Sequence, residues 1–563
     1  MYGPSPGAWS AVVSTLQAFG SQCRVIVWRT MLTRLRRMLV VSCGILFATQ
    51  ARAQAGIPSA VRAAADGISV SQIASDINYL ASDALRGRDT FSPGIDSAAQ
   101  FIVRRLLRAR LRPIGDKGTY LQHFVLRGGI PDTSAMFLEF GGRRFSFGEF
   151  LLNPFARPID TTTSVVFVGN GVRIKSKNID AYAGLDVKGK LVLGQQGLPN
   201  GISAESLPKD FEGPRIAPPK LGAVGTLLIP LQPILDNWSG IRSSPVWVYN
   251  ELDPPVPTGQ PSLITTILIR PELARLLLAP DSGAADRILN RSAGAEIPAG
   301  FELAQQVRVR IPATQVRRTS YNIVAVINGS DPRLRQEYVT VAAHLDGALQ
   351  LLMPGDSVFH AADDNASGSA GILAVAEQMM RAPHPRRSVI FIWDTGHEIG
   401  LYGSKEFAGS GIVPMQNVVA HFNVDMIGGT AGPSDTVWRP AKAHEVFVIG
   451  PRVLSTGLDS LVERTNRGYL NMELNHKEDR PDSEFYYPRT DAVPFIERGI
   501  PTIEFFTGLH SRYHRSNDEA RYVDMKKVQE VSKTLMATVW VVANARERPV
   551  VDKGFPARVV RVH

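Results

Sequence analysis

At 563 residues the chain exceeds what one small core can organise, so two or more compact units are expected. Of its residues 44% are hydrophobic, and the net charge is +10, but residues 1–53 hold six arginines and no acid, so the remainder carries only +4. With no basic stripe interleaved with aromatics in that remainder, no nucleic-acid partner is expected.

From Met31 the chain reads as a secretory signal. Arg34, Arg36 and Arg37 precede the apolar run Met38 to Ala48, and Ala51-Arg52-Ala53 forms a small-residue cleavage site. A mature start near Gln54 and a periplasmic or secreted location are expected. The apolar run is too short to span a bilayer, and no later stretch is long and charge-free enough. An N-terminal anchor is the plainer alternative. Val-Val-Ser-Cys at 40–43 weakly resembles a lipoprotein acceptor site, but it leaves a very short apolar region and ranks below plain secretion. Residues 1–30 precede the natural start of this signal. Both cysteines, Cys23 and Cys43, fall in the segment expected to be removed. Any zinc in the mature protein must then be held by histidine and carboxylate.

Residues 54–136 are expected to form the first part of a main domain. Apolar residues at helical spacing (Ile73, Ile77, Leu80, then Ala98, Phe101, Ile102, Leu106) predict two helices with a Gly/Pro-rich break between them. Between 137 and 312 the texture changes to short runs such as SVVFVGN, KLVLGQQ and VGTLLIP between turn residues, which predicts an inserted, mainly β unit. From 313 to 545 strand and helix alternate: YNIVAVING, EYVTVAAH, a helix from about Ser367 to Arg381, SVIFIWD, a helix near Ser404, VVAHFNVDM and TIEFFTG. Nearly continuous apolar strands between amphipathic helices predict an α/β layered domain with its sheet buried on both faces. Residues 546–563 read as a loose basic tail.

In such sheets the active site lies where the chain leaves the strand ends. Of five candidate metal ligands, His344, Asp363, Glu398, Asp425 and His514, four stand at or just beyond such ends. Taken singly, each has a plainer reading. His344 with Asp346 fits a surface loop, Asp363-Asp364-Asn365 fits a helix cap, Glu398 fits a solvated turn and His514 a solvated loop. Asp425 differs, because a carboxylate at the end of a buried strand needs a partner. Jointly, two histidines and three carboxylates suit a pair of zinc ions with one carboxylate shared. His360 and His421 are read as packing or solvent-exposed residues, and His510 is not counted as a ligand.

These residues resemble the secreted di-zinc aminopeptidase family, whose relatives include glutaminyl cyclases, glutamate carboxypeptidases and a non-enzymatic receptor. INYLASDALRGRD and TYLQHF look like the N-terminal part of bacterial members. LDVKGKLVL with KLGAVGTLLIP is similar to the inserted protease-associated domain. TSYNIVAVINGSDP, AAHLD, ADDNASG, GLYGS, NVDMIG and RTDAVPFIERGIPTIEFFTGLHSRYH match the catalytic core. The resemblance implies a three-layer zinc-exopeptidase fold and peptide or protein substrates. It implies that His344 and Asp425 hold one zinc, that Glu398 and His514 hold the other, and that Asp363 bridges them. Asp346 would orient His344, and Tyr513 would stabilise a tetrahedral oxyanion. Amide hydrolysis by a hydroxide formed between two zinc ions is the implied chemistry.

The pattern departs at one position. Peptidase members have a second glutamate just before the ligand near GLxGS, where this chain has His397. Three roles fit: a general base, since imidazole relays protons; the mark of a zinc-binding but weakly active binding module; or an extra zinc ligand. Glutaminyl cyclisation is a second enzyme reading, although those members generally lack the insertion.

Overall fold

The computed structural model describes residues 57–555 except 153–156, 203–207, 209, 244–247, 254–263, 282, 291–296, 348–352, 354–355, 357, 433–439 and 481–486. The expected signal segment with both cysteines, and residues 556–563 of the tail, lie outside the described residues.

The main sheet contains β1 (Leu121–Pro131), β2 (Val248–Leu252), β3 (Ala313–Ile327), β4 (Tyr338–His344), β5 (Ser388–Asp394), β6 (Val418–Val424), β7 (Glu445–Ile449), β8 (Glu473–Asn475) and β9 (Thr502–Phe506). They are ordered β2-β1-β3-β5-β4-β6-β9-β7-β8, and Arg112–Pro113 pairs on β3. β5, β4, β6 and β9 are mutually parallel, while β3 and β7 join them antiparallel. The apolar runs of β4, β5 and β6 are buried along almost their whole length, as a sheet covered on both faces requires.

Alternation along β5 shows what covers each face. Trp393 donates its indole N–H to Ser369 O at 3.0 Å, at the start of helix α3 (Gly368–Met379), given α1 (Val70–Leu80) and α2 (Pro93–Ala109) before it. Ile390 and Ile392 face the other way and pack with Phe407 of α4 (Tyr402–Gly409) and with Phe495. Helix α3 packs on α1, α2 and the C-terminal α6 (Met525–Asn544), with α5 (Thr456–Arg467) against α6. The result is a helix–sheet–helix sandwich of the α/β class expected. Helix starts follow their capping residues: Ser92 accepts from Ile95 N at 3.3 Å with Pro93 at the first position, and Asp524 accepts from Lys527 N at 3.0 Å.

A second, eight-stranded sheet is built from strands between Phe137 and Ile311, with Ile159–Phe167, Leu191–Gln195, Gly225–Ile229 and Thr265–Ile269 parallel at its centre. Its core holds Phe150, Phe167, Leu193 and Ile267, and Leu273 and Leu277 of the helix Pro271–Leu278 pack into it. The expected insertion is not cleanly separate, however. β2 lies within its range yet pairs antiparallel with β1 of the main sheet, Leu252 opposite Leu126, and Leu252 packs with Phe124, Leu126, Ile399 and Tyr402. Both sheets belong to one compact unit.

Candidate metal centre

Parallel β5, β4, β6 and β9 end side by side, and the chain leaving them supplies the site. His344 is the last residue of β4, Glu398 follows the turn after β5, Asp425 directly follows β6, and His514 lies in the loop after β9. Four non-glycine residues beside these exits hold left-handed backbone: Ala361 (φ 52°), Leu401 (58°), Met426 (48°) and His514 (58°). Such strain persists where surrounding structure over-determines it, commonly at functional sites.

His344 Nε2 lies 3.2 Å from Asp425 Oδ1 and 3.4 Å from Asp364 Oδ1. His514 Nε2 lies 3.2 Å from Asp364 Oδ2 and 3.4 Å from Glu398 Oε2. Asp364 is therefore the carboxylate that faces both histidines. The expectation that Asp363 bridges is corrected by one residue. Asp363 points the other way: its Oδ1 accepts from Gly428 N at 2.7 Å, and its Oδ2 is 3.1 Å from His510 Nε2. Non-helical backbone at Asp364 (φ −110°, ψ 86°) inside the turn Ala362–Ser367 sends the two adjacent side chains apart. Gly428 must be glycine, because a Cβ there would stand 2.4 Å from Val523 Cγ1.

The donor chemistry fits metal ions. Glu398 Oε1 is buried without a hydrogen-bond partner, a costly state for a carboxylate that a cation would relieve. Candidate ligand atoms of His344, Asp364 and Glu398 lie within 4.8 Å of one another, as do those of His344, His397 and Asp425. Burial alone would lower the His344 pKa, but Asp425 and Asp364 outweigh it and raise it well above the ordinary value. Burial raises Glu398 to about 7, against the pull of His514. The group Asp459, Glu463 and His476 is a separate cluster in which Arg452 already faces both acids, at 3.8 and 3.2 Å.

Asp346 orients His344 through its backbone carbonyl, 2.9 Å from Nδ1, not through its carboxylate. The carboxylate instead accepts from His397 N and Glu398 N, both at 3.3 Å, and from Thr90 Oγ1 at 2.9 Å. It thus fixes the turn that carries Glu398. Tyr513 stacks on His514, ring centroids 3.6 Å apart, and its hydroxyl accepts from Arg489.

His397 stacks on His344 with centroids 3.8 Å apart and planes 7° from parallel. Imidazole lone pairs lie in the ring plane, and two parallel planes at that spacing do not meet at one ion. His397 therefore addresses the space beside the His344 ligand position. Its Nδ1 lies 2.6 Å from Asp491 Oδ2, and Asp491 is fully buried. Burial would lower the His397 pKa, but Asp491 overrides it and carries it to about 10 without cations present.

Asp491 and Asp518 were absent from the sequence-based candidates. Asp518 accepts from the N–H groups of Asp363 and Asp364. Asp491 directly precedes the apolar run AVPFI, a signal that could have marked it, whereas Asp518 lies in the polar run HRSNDEAR, which offers none. His421 is a packing residue: it stacks on Phe495 at 3.7 Å, and burial lowers its pKa to about 3. His510 holds Asp363, and His360 contacts Ser516 O and Asp83.

A sequence model of peptidase family M28 matches residues 322–539. A probable zinc metalloprotease of Leptosphaeria maculans is 26% identical over 261 residues, 40% of this chain and 58% of the relative. A probable lipoprotein aminopeptidase of Mycobacterium tuberculosis is 27% identical over 214 residues, 37% of this chain and 39% of the relative. The chain thus spans a little over half the length of the first curated relatives it matches, 58% and 55%. Among solved structures, an aminopeptidase from Aneurinibacillus sp. strain AM-1 covers 88% of this chain and 98% of its own at 17% identity, with a TM-score of 0.53. A zinc aminopeptidase from Bacillus subtilis covers the same shares at 18% identity and 0.51. The chain accordingly has the fold of the zinc aminopeptidases, with the sequence pattern of peptidase family M28 over residues 322–539.

Proposed function

We propose that this chain is an exported zinc-dependent exopeptidase that removes N-terminal residues from peptides. The observation that carries the reading is the convergence of His344, Asp364, Asp425, Glu398 and His514, with the buried Glu398 Oε1 left without a hydrogen-bond partner. His344 and Asp425 would hold one zinc ion, Glu398 and His514 the other, and Asp364 would face both. Zinc held there polarises a carbonyl and lowers the pKa of water.

The chain's own groups supply the rest. Tyr513, with its hydroxyl held by Arg489, suits the oxyanion of a tetrahedral intermediate. His397 takes the position of the usual glutamate base. Residues 137–312 are proposed as the protease-associated unit, and Met31–Ala53 as the export signal. No helix among the described residues is long and apolar enough to cross a membrane.

Purified protein should contain about two zinc ions per chain and hydrolyse aminoacyl-anilides. One zinc or none, or cyclisation of N-terminal glutaminyl peptides without anilide hydrolysis, would sink the proposal.

A further inference from the structure

A histidine that replaces a carboxylate base meets a problem the carboxylate does not have. Either oxygen of a glutamate can accept a proton, whereas a neutral imidazole accepts at one nitrogen only, and which one depends on the tautomer. His397 has this problem solved in the structure. Asp491 Oδ2 lies 2.6 Å from His397 Nδ1, and the Asp491 carboxylate is fully buried. An ionised carboxylate accepts and cannot donate, so Nδ1 must carry the hydrogen. Stacking on His344 fixes the ring plane. The nitrogen left free is Nε2.

We infer that Asp491 is a positioning residue for the proposed hydrolysis: it locks His397 as the Nδ1–H tautomer, so that Nε2 is the proton acceptor in the reaction. This rests on the exopeptidase reading. In the step, water loses a proton to Nε2 as its oxygen bonds to the scissile carbonyl carbon. Nε2 then returns that proton to the leaving amine as the C–N bond breaks, and one peptide and one water give one acid and one amine. Asp491 keeps its charge throughout and offsets that of the transient imidazolium. The carboxylate that most favours a charged ring is Asp491 itself, and the positive charge of two dications held by the neighbouring ligands would oppose it.

The test is a double-mutant cycle on zinc-loaded protein, with ring nitrogens read by NMR after 15N-histidine labelling. Asp491→Asn should lower kcat about 10²- to 10⁴-fold with KM and zinc content unchanged. Placed in a His397→Glu background, the same substitution should leave kcat unchanged or raise it, since a glutamate base needs no tautomer lock and gains from losing a neighbouring charge. In the loaded wild type, His397 should show a protonated Nδ1 and an unprotonated Nε2. Equal losses from Asp491→Asn in both backgrounds, or a protonated Nε2 in the wild type, would overturn the inference. If the asparagine variant does not fold, the wild-type nitrogen signals alone decide it. A wild type that hydrolyses no aminoacyl substrate rejects the exopeptidase reading instead, and the tautomer remains measurable.

Discussion

Asp518 accepts the backbone N–H of Asp364 at 3.0 Å, from 154 positions further along the chain. The same carboxylate holds Asp363 N at 3.0 Å, so one buried side chain after β9 fixes the turn before α3. Groups behind a ligand typically contribute 10- to 100-fold in metal affinity by holding it in place. Asp518→Ala is expected to weaken zinc binding by about that factor while the far-UV circular dichroism is kept. Competition with a chelating dye measures it, and unchanged affinity would remove Asp518 from the site.

Asp363 and Asp364 are adjacent in sequence but opposed in space, which separates their roles experimentally. Asp364→Asn should abolish binding of at least one zinc ion and lower activity by about 10³-fold or more, because its carboxylate faces both histidines. Asp363→Asn keeps an oxygen for Gly428 N and should retain both ions with a smaller loss. Metal analysis of the two variants checks this directly. The opposite pattern would restore the bridging role to Asp363.

Much of this arrangement could be read from residues alone, and the failures have physical reasons. VTVAAH, SVIFIWD and VVAHFNV are strands because their unbroken apolar runs need a sheet covered on both faces, and their ends put His344, Glu398 and Asp425 in one place. His514 joined them through the loop after TIEFFTG. Between Asp363 and Asp364 the pattern offers no choice, since only the backbone dihedrals of the turn decide which carboxylate turns inward. Asp491 and Asp518 act on partners 94 and 154 residues away, beyond any local periodicity. The pairing of β2 with β1 was illegible for the same reason, as a five-residue strand carries no mark of which sheet it joins.

Lys527 offers a pH dependence away from the ligands. Its ammonium is buried, donating to Gly429 O at 2.8 Å and Ala441 O at 3.0 Å, and burial lowers its pKa from 10.5 to about 8. Between pH 8 and 10.5 the unfolded chain therefore binds more protons than the folded one, so this group makes stability rise with pH across that window. Below pH 8 both states are protonated and its contribution is flat. From pH 8 to 10 wild type should gain up to about 2–3 kcal/mol relative to Lys527→Met, at 1.36 kcal/mol per unit. Urea unfolding of both proteins at several pH values measures the difference, and a constant gap would contradict the assignment.

Removing metal should destabilise the fold and not only silence it. Glu398 Oε1 is buried without a hydrogen-bond partner, and Asp364, Asp425 and Glu398 crowd around only two histidines, so the folded protein without ions holds these carboxylates together at a cost. A strong chelator is expected to lower Tm by several degrees, and added zinc to restore it, because ligand binding to the folded state stabilises it by mass action. Equal Tm with and without chelator would mean that these carboxylates are satisfied in another way.

Arg88 ties three pieces of the site together from beneath. It is fully buried, and Nε donates to Leu345 O at 2.8 Å, just past β4. Nη1 donates to Leu80 O at the end of α1 and to His360 O at 3.1 Å, and Nη2 to Ala361 O at 2.8 Å, before the turn that carries Asp364. Burial lowers its pKa to about 10, with Asp346, Asp518 and Asp364 opposing the drop, so it stays charged at neutral pH and offsets their charge. Lysine cannot reproduce this, since three donors on one atom cannot reach four carbonyls spread across a planar fork. Arg88→Met would leave the Leu80, Leu345 and His360 carbonyls without this donor at about 1–3 kcal/mol each, while Ala361 O keeps Ala366 N, so a loss of at least about 3 kcal/mol is expected. Arg88→Lys should recover only part of it. Guanidinium unfolding of the zinc-free proteins isolates this from metal binding. A methionine variant within about 1 kcal/mol of wild type would show that water reaches these carbonyls and that the clamp does not hold the site.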